Sequence, residues 1–155
     1  MVRPEVGQTA PDLELRDQHG QMVSLRSFRG SKAVLLVFYP FAFSRVCSGE
    51  LNEIRDNLAD FVSDDVQLLA VSCDPMFSLR AFAEQHDLSF PLLSDFWPHG
   101  AVSSAYGVFD EQRGCSARST FIIDEDGLIR WSVHNALPNA RDLAEHSRVL
   151  AEITR

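Results

Sequence analysis

The run 33–39, Ala33-Val34-Leu35-Leu36-Val37-Phe38-Tyr39, has no polar break, and it constrains this chain more than any other stretch. A strand with one wet face alternates apolar and polar residues; an unbroken run must be buried on both faces. Pro40 cannot donate to a sheet ladder and ends the run. Beyond it, Leu51, Ile54, Leu58 and Phe61 recur at helical spacing, which predicts a helix reaching about Phe61. A doubly buried strand followed by an amphipathic helix requires a central sheet covered on both sides. Cys47 falls in the first turn of that helix. Unpaired backbone N–H groups and the positive end of the helix dipole favour a thiolate there.

The remaining elements fit that frame. Segments 11–15 and 22–24 around His19-Gly20 predict a short N-terminal hairpin. Ser24 is placed to cap a short helix ending at Gly30. Residues 66–72 form a second buried strand, and 76–87 a helix carrying Phe77, Phe82 and Ala83. A short strand at 90–93 and a short helix at 101–106 follow. Segments 119–123 and 128–133 flank Asp124-Glu125-Asp126-Gly127, a strong hairpin turn. Asn139 is placed to cap a last helix with Leu143, Leu150 and Ile153 inside. With no repeat or linker, residues 1–155 read as a single domain of α/β class. A thioredoxin-like fold, a central mixed β-sheet with helices on both faces, fits this order.

Bulk properties narrow the partners. The net charge of −8 comes without a basic run, which disfavours nucleic acid and anionic membranes. The N-terminus lacks an apolar leader and no segment is long enough to span a membrane, so a cytoplasmic location is expected. The three cysteines, Cys47, Cys73 and Cys115, are odd in number and lie far apart. That argues against a disulfide scaffold and a zinc site. His19, His86, His99, His134 and His146 show no ligand spacing; they read as surface or capping residues, and no metal or cofactor is expected.

Pro40, Ser44 and Cys47 form a P-x3-S-x2-C pattern. Together with that turn, the opening Val6-Gly7-Gln8-Thr9-Ala10-Pro11-Asp12 and the segment Arg118-Ser119-Thr120-Phe121-Ile122-Ile123-Asp124 resemble the peroxiredoxin family over nearly the whole chain. The segment Pro91-Leu92-Leu93-Ser94-Asp95-Phe96-Trp97-Pro98-His99-Gly100 is similar to the one-cysteine alkyl hydroperoxide reductase E branch of actinobacteria.

The resemblance implies a thiol-dependent peroxidase of antioxidant defence, reducing hydrogen peroxide and organic hydroperoxides. Cys47 would be the nucleophile and pass through a sulfenic acid. By position alone it could equally be a small buried hydrophobe. Arg118 would set a fixed positive charge beside sulfur and peroxide, since guanidinium stays charged and offers planar donors; its plain alternative is a surface ion pair. Ser44 would bond the thiolate or peroxide, or simply cap the helix. Pro40 would shield the sulfur, or only end the strand. Glu50 either pairs with an arginine in the pocket or sits on a solvated helix face. Phe38, Tyr39, Phe41, Phe43, Phe96 and Trp97 supply core, a pocket rim or a subunit interface.

Turnover needs a second thiol. Some relatives carry a resolving cysteine five residues downstream; here that position is Asn52, and the last forty residues hold none. Cys73, at a strand end, and Cys115, read as a loop residue three before Arg118, are the internal candidates, Cys115 the stronger. The leading expectation is a one-cysteine cycle with an external thiol. By resemblance that is mycothiol with mycoredoxin, or a glutaredoxin- or thioredoxin-like protein, with a homodimer as the assembly. A peroxide-sensing switch or holdase using the same Cys47 is the competing reading.

Overall fold

The structure, a computed structural model, describes residues 2–154. Its centre is β3 (Ala33–Phe38), every residue of which is buried. Leu35, Val37 and Tyr39 point to one side; Val34, Leu36 and Phe38 point to the other. The first side is covered by α1 (Arg45–Asp56), α2 (Met76–His86) and α4 (Leu143–Ile153) through Leu51, Ile54, Leu79, Phe82, Leu143 and Leu150. The second is covered by Ala10, Leu13, Leu25, Tyr106 and Val108, with α3 (Ala101–Ala105) against it through Val102. The doubly apolar strand is thus satisfied by two separate cores, as its sequence requires.

Seven strands form one mixed sheet in the order β2-β1-β5-β4-β3-β8-β9. β3 runs parallel to β4 (Val66–Ser72), and β4 parallel to β5 (Leu92–Ser94). On its other edge β3 pairs antiparallel with β8 (Arg118–Ile123), which pairs antiparallel with β9 (Ile129–Asn135). The expected hairpin, β1 (Glu14–Arg16) and β2 (Met22–Ser24), joins the sheet where Arg16 pairs with Ser94 of β5.

Several expectations are corrected. The helix after Pro40 stops at Asp56, because the Asn57 side chain turns back onto the Glu53 carbonyl at 2.9 Å. One 3-10 turn, Leu58–Asp60, then carries the chain to Phe61. The last helix starts after Asp142, whose carboxylate accepts from the Glu145 N–H at 3.0 Å; Asn139 closes a separate turn on Ala136. Ser24 caps nothing with its hydroxyl, and the short helix after it is a single 3-10 turn, Leu25–Phe28. The expected strand at 90–93 shifts to Leu92–Ser94. A small second sheet, β6 (Phe109–Asp110) with β7 (Cys115–Ser116), was not expected, since two-residue strands show no period.

Candidate active site

Three neighbouring parallel strands end at one edge of the sheet, and the loops leaving β3, β4 and β5 gather there. Pro40 is buried at the end of β3. The turn after it is tied down by the Asp74 carboxylate, which accepts from the Ala42 N–H at 2.8 Å and the Ser72 hydroxyl at 2.7 Å. Phe43 adopts a left-handed backbone, φ 70°, which costs a non-glycine residue about 1–3 kcal/mol. Its ring packs on Phe82 at 5.0 Å, which helps to hold it.

Ser44 stands at the N-cap of α1, but its hydroxyl donates to the Phe41 carbonyl at 2.9 Å and bonds neither the helix N–H groups nor the sulfur. That hydroxyl closes the turn in place of capping the helix or bonding the sulfur.

Cys47 is fully buried in the first turn of α1. Arg118 reaches it because β8 runs antiparallel to β3. The register that sets Ser119 opposite Phe38 places the first residue of β8 at the cysteine edge. Its Nη1 donates to Cys47 Sγ at 3.4 Å. The guanidinium is fixed from its other side, with Nε and Nη2 donating to the Leu137 carbonyl at 3.0 and 2.8 Å.

Glu50 follows Cys47 by three residues and so shares its helix face. It is buried, not solvated, and its carboxylate serves two arginines. One oxygen takes Arg118 Nη1; the other takes the Arg141 backbone N–H at 2.7 Å and Nε at 3.1 Å. Arg141 also donates to Ser119 O at 3.0 Å, Thr120 Oγ1 at 2.9 Å and the Phe38 carbonyl. Burial pulls Arg141 below the ordinary guanidinium range, and Glu50 opposes that pull. Two guanidiniums against one carboxylate leave one positive charge in a buried site, beside Cys47 Sγ. A peroxide oxygen beside the sulfur would meet the same donors.

The other two cysteines are elsewhere, and all three are free thiols. Cys73, directly after β4, sits 3.5 Å from Ser116 Oγ and 3.9 Å from Ser103 Oγ, hydroxyls that bond each other at 2.7 Å. Burial pushes its thiol up, and Asp95 and Asp74 add to that. Cys115 is no loop residue: it is fully buried in β7, and burial, with Asp110, pushes its thiol up to about 11.

Arg141, Thr120 and His146 were missed by sequence reasoning, and His146 is buried at 1% exposure where a surface or capping residue was expected. No spacing signals them; Arg141 meets Glu50, and Thr120 and His146 follow behind Arg141, only through the tertiary fold. Phe38 and Tyr39 are core, while Phe41, Phe43, Phe96 and Trp97 are exposed.

Residues 6–132 match the AhpC/TSA family. The chain is 50% identical over 149 residues to alkyl hydroperoxide reductase E of Mycobacterium tuberculosis, covering 96% of this chain and 97% of that protein. Among solved structures it is similar to Mycobacterium bovis AhpC, with a TM-score of 0.85, 26% identity and 100% of both chains covered. It is also similar to peroxidoxin BcpB from Mycobacterium tuberculosis, with a TM-score of 0.84, 29% identity and 97% of each chain covered.

Proposed function

The chain belongs to the AhpC/TSA family of peroxiredoxins and is a thiol-dependent peroxidase of antioxidant defence, and on that footing we propose that it turns over on Cys47 alone. Cys47 Sγ attacks the terminal oxygen of hydrogen peroxide or an organic hydroperoxide. An S–O bond forms, the O–O bond breaks, and the leaving oxyanion takes a proton as water or alcohol. Cys47 is left as a sulfenic acid. The observation that carries this reading is the 3.4 Å contact from Arg118 Nη1 to Sγ, made by a guanidinium held in place by Glu50 and Leu137. Donors fixed before the reaction stabilise the charge that develops on the departing oxygen without having to reorganise. Thiolate supply is a smaller lever, because lowering a thiol's pKa also lowers its nucleophilicity. Pro40 shields the sulfur, Ser44 holds the turn, and Glu50 sets both arginines.

The burial and raised thiols of Cys73 and Cys115 support an external reductant. That thiol condenses with the sulfenic acid to a mixed disulfide, releasing water, and a second thiol frees Cys47. Mycothiol with mycoredoxin, or a glutaredoxin- or thioredoxin-like protein, fits this chemistry. We also propose one domain, a homodimer and a cytoplasmic location. Phe41, Phe43, Phe96 and Trp97, exposed on loops that follow β3 and β5, and Phe77, exposed in the first turn of α2, offer one edge for a second copy. No helix among the described residues is long and apolar enough to cross a membrane.

Stopped-flow mixing of reduced protein with hydrogen peroxide, then with an organic hydroperoxide, tests the reading. A fast second-order fluorescence change lost in Cys47→Ser is the expected result. Turnover with an external thiol should persist when Cys73 and Cys115 are both replaced by serine. An internal disulfide involving either, found by mass spectrometry after one equivalent of peroxide, would overturn the one-cysteine cycle.

A further inference from the structure

Behind Arg141 the hydrogen-bonded chain continues to a histidine. Thr120 Oγ1 accepts from Arg141 Nη1 at 2.9 Å and lies 2.8 Å from His146 Nε2. His146 Nδ1 lies 2.6 Å from the Asp142 carbonyl oxygen. A carbonyl only accepts, so Nδ1 carries a hydrogen. Arginine only donates, so Thr120 Oγ1 receives that bond. With His146 neutral, Nε2 is a lone pair and takes the Thr120 hydroxyl proton. Every side-chain polar atom along His146, Thr120, Arg141, Glu50, Arg118 and Cys47 then has at least one partner of the opposite kind. With His146 charged, two cationic donors would converge on one hydroxyl oxygen whose own proton has lost its acceptor.

We infer that His146 is a positioning residue for peroxide reduction, its neutral ring holding Thr120 and, through it, the Arg141–Glu50–Arg118 bridge over Cys47. The inference rests on Cys47 being the reacting thiol. The charged groups that act on the ring are Arg141, Glu50 from α1 and Glu145 on its own helix, with the Asp142 carbonyl bonded to it. β8 contributes Thr120, and β9 contributes Trp131, edge-on at 5.0 Å between centroids. Burial, the largest influence, together with Arg141 lowers the His146 pKa, while the Asp142 carbonyl, Glu145 and Glu50 work against them. The neutral form therefore persists below the ordinary histidine range of about 6.5. Acidification beyond that should loosen the guanidiniums even at a constant thiolate fraction.

The test is the pH profile of Cys47 oxidation by hydrogen peroxide, divided at each pH by the thiolate fraction measured on the same protein. The profile should keep an acidic limb, and that limb should coincide with His146 protonation. Trp131 emission in a Trp97→Phe background reads that protonation directly, because a charged imidazole quenches a neighbouring indole. His146→Leu, which leaves Thr120 without its acceptor, should lose about tenfold in rate at neutral pH. His146→Gln restores an uncharged acceptor and should recover most of that loss without the limb. Thr120→Val cuts the same link from the sheet side and keeps the shape, so it decides the matter if His146→Leu fails to fold. It should show the same loss, with no further loss in the double variant. A corrected profile that is flat, or a limb that does not track Trp131, overturns the proposal, as does a full rate in Thr120→Val. Oxidation that survives in Cys47→Ser overturns the Cys47 reading itself, and this proposal with it; a Cys47-dependent rate indifferent to His146 overturns this proposal alone.

Discussion

Cys47 and Cys73 are nearly equal in burial, 0% and 5% exposed, and each follows a parallel strand of the same sheet. Their surroundings differ in kind. Cys47 faces a guanidinium that is itself clamped by a carboxylate and a carbonyl. Cys73 faces two serine hydroxyls that already bond each other, with Asp74 and Asp95 nearby. Burial alone disfavours a thiolate, as Cys73 displays. A fixed cation at the sulfur is what distinguishes the first pocket. The difference arises from topology: β8 is antiparallel to β3 and delivers Arg118 to Cys47, whereas Cys73 lies where Ser116 and Ser103 meet.

The sharpest way to break the contrast is to remove the cation. Arg118→Ala should slow oxidation of Cys47 by about 10²–10³-fold after correction for thiolate fraction, in line with the loss of a fixed oxyanion donor. If the deficit vanishes on correction, the arginine acts only on thiol ionisation. Next, Glu50→Gln leaves Arg118 and Arg141 buried without their shared counter-charge. Urea unfolding should show a loss of about 3 kcal/mol, the usual scale for a broken buried pair. A variant as stable as the parent would mean water already compensates these charges.

The opposite pocket should respond weakly. Cys73→Ala should cost about 1 kcal/mol through lost packing and leave the Cys47 oxidation rate within about twofold, as expected of uncoupled sites. A large fall in rate would show that the two clusters communicate. The smallest effect concerns pH. His146 and His134 are both held below the ordinary histidine value, chiefly by burial. The unfolded chain therefore binds protons first as pH falls. Their contribution to stability is complete above about 6.5 and is lost as pH drops from there toward the lower folded values. Melting temperatures between pH 7 and 5 should fall, and fall less in His146→Gln; an unchanged slope would assign the effect to other groups.

The same contrast explains what the sequence disclosed. β3 was legible because an unbroken apolar run has one physical solution, burial on both faces, and β4 because its stretch from Leu68 to Val71 repeats that pattern in short. Cys47 was legible as a first-turn residue because Pro40 and the helical period fix the strand end and the helix start. The direction of the Ser44 hydroxyl was not, since it depends on the left-handed Phe43 that brings the Phe41 carbonyl within reach. Cys115 was misread as a loop residue because β7 has two residues and no period. Asn139 and Asp142 are both good helix caps, and only the packing of Leu143 selects between them. Arg141 and His146 carry no local signal; their partners come from α1, β3 and β8.

Arg118 opens a strand that is hydrogen-bonded on both edges, to β3 and to β9. The turn that leads into the sulfur's helix is held by the Ala42–Asp74 bond, the Ser44–Phe41 bond and a ring contact from Phe43. Hydrogen exchange should therefore separate the two halves of the site, with the arginine's protection near that of the whole fold and the turn's far lower. If that turn opened by itself, the sulfur would move toward a bulky reductant while Arg118 kept its bonds to the Leu137 carbonyl. Each cycle would then re-form one short turn against a standing strand, at the pace of a loop closing rather than of a domain folding.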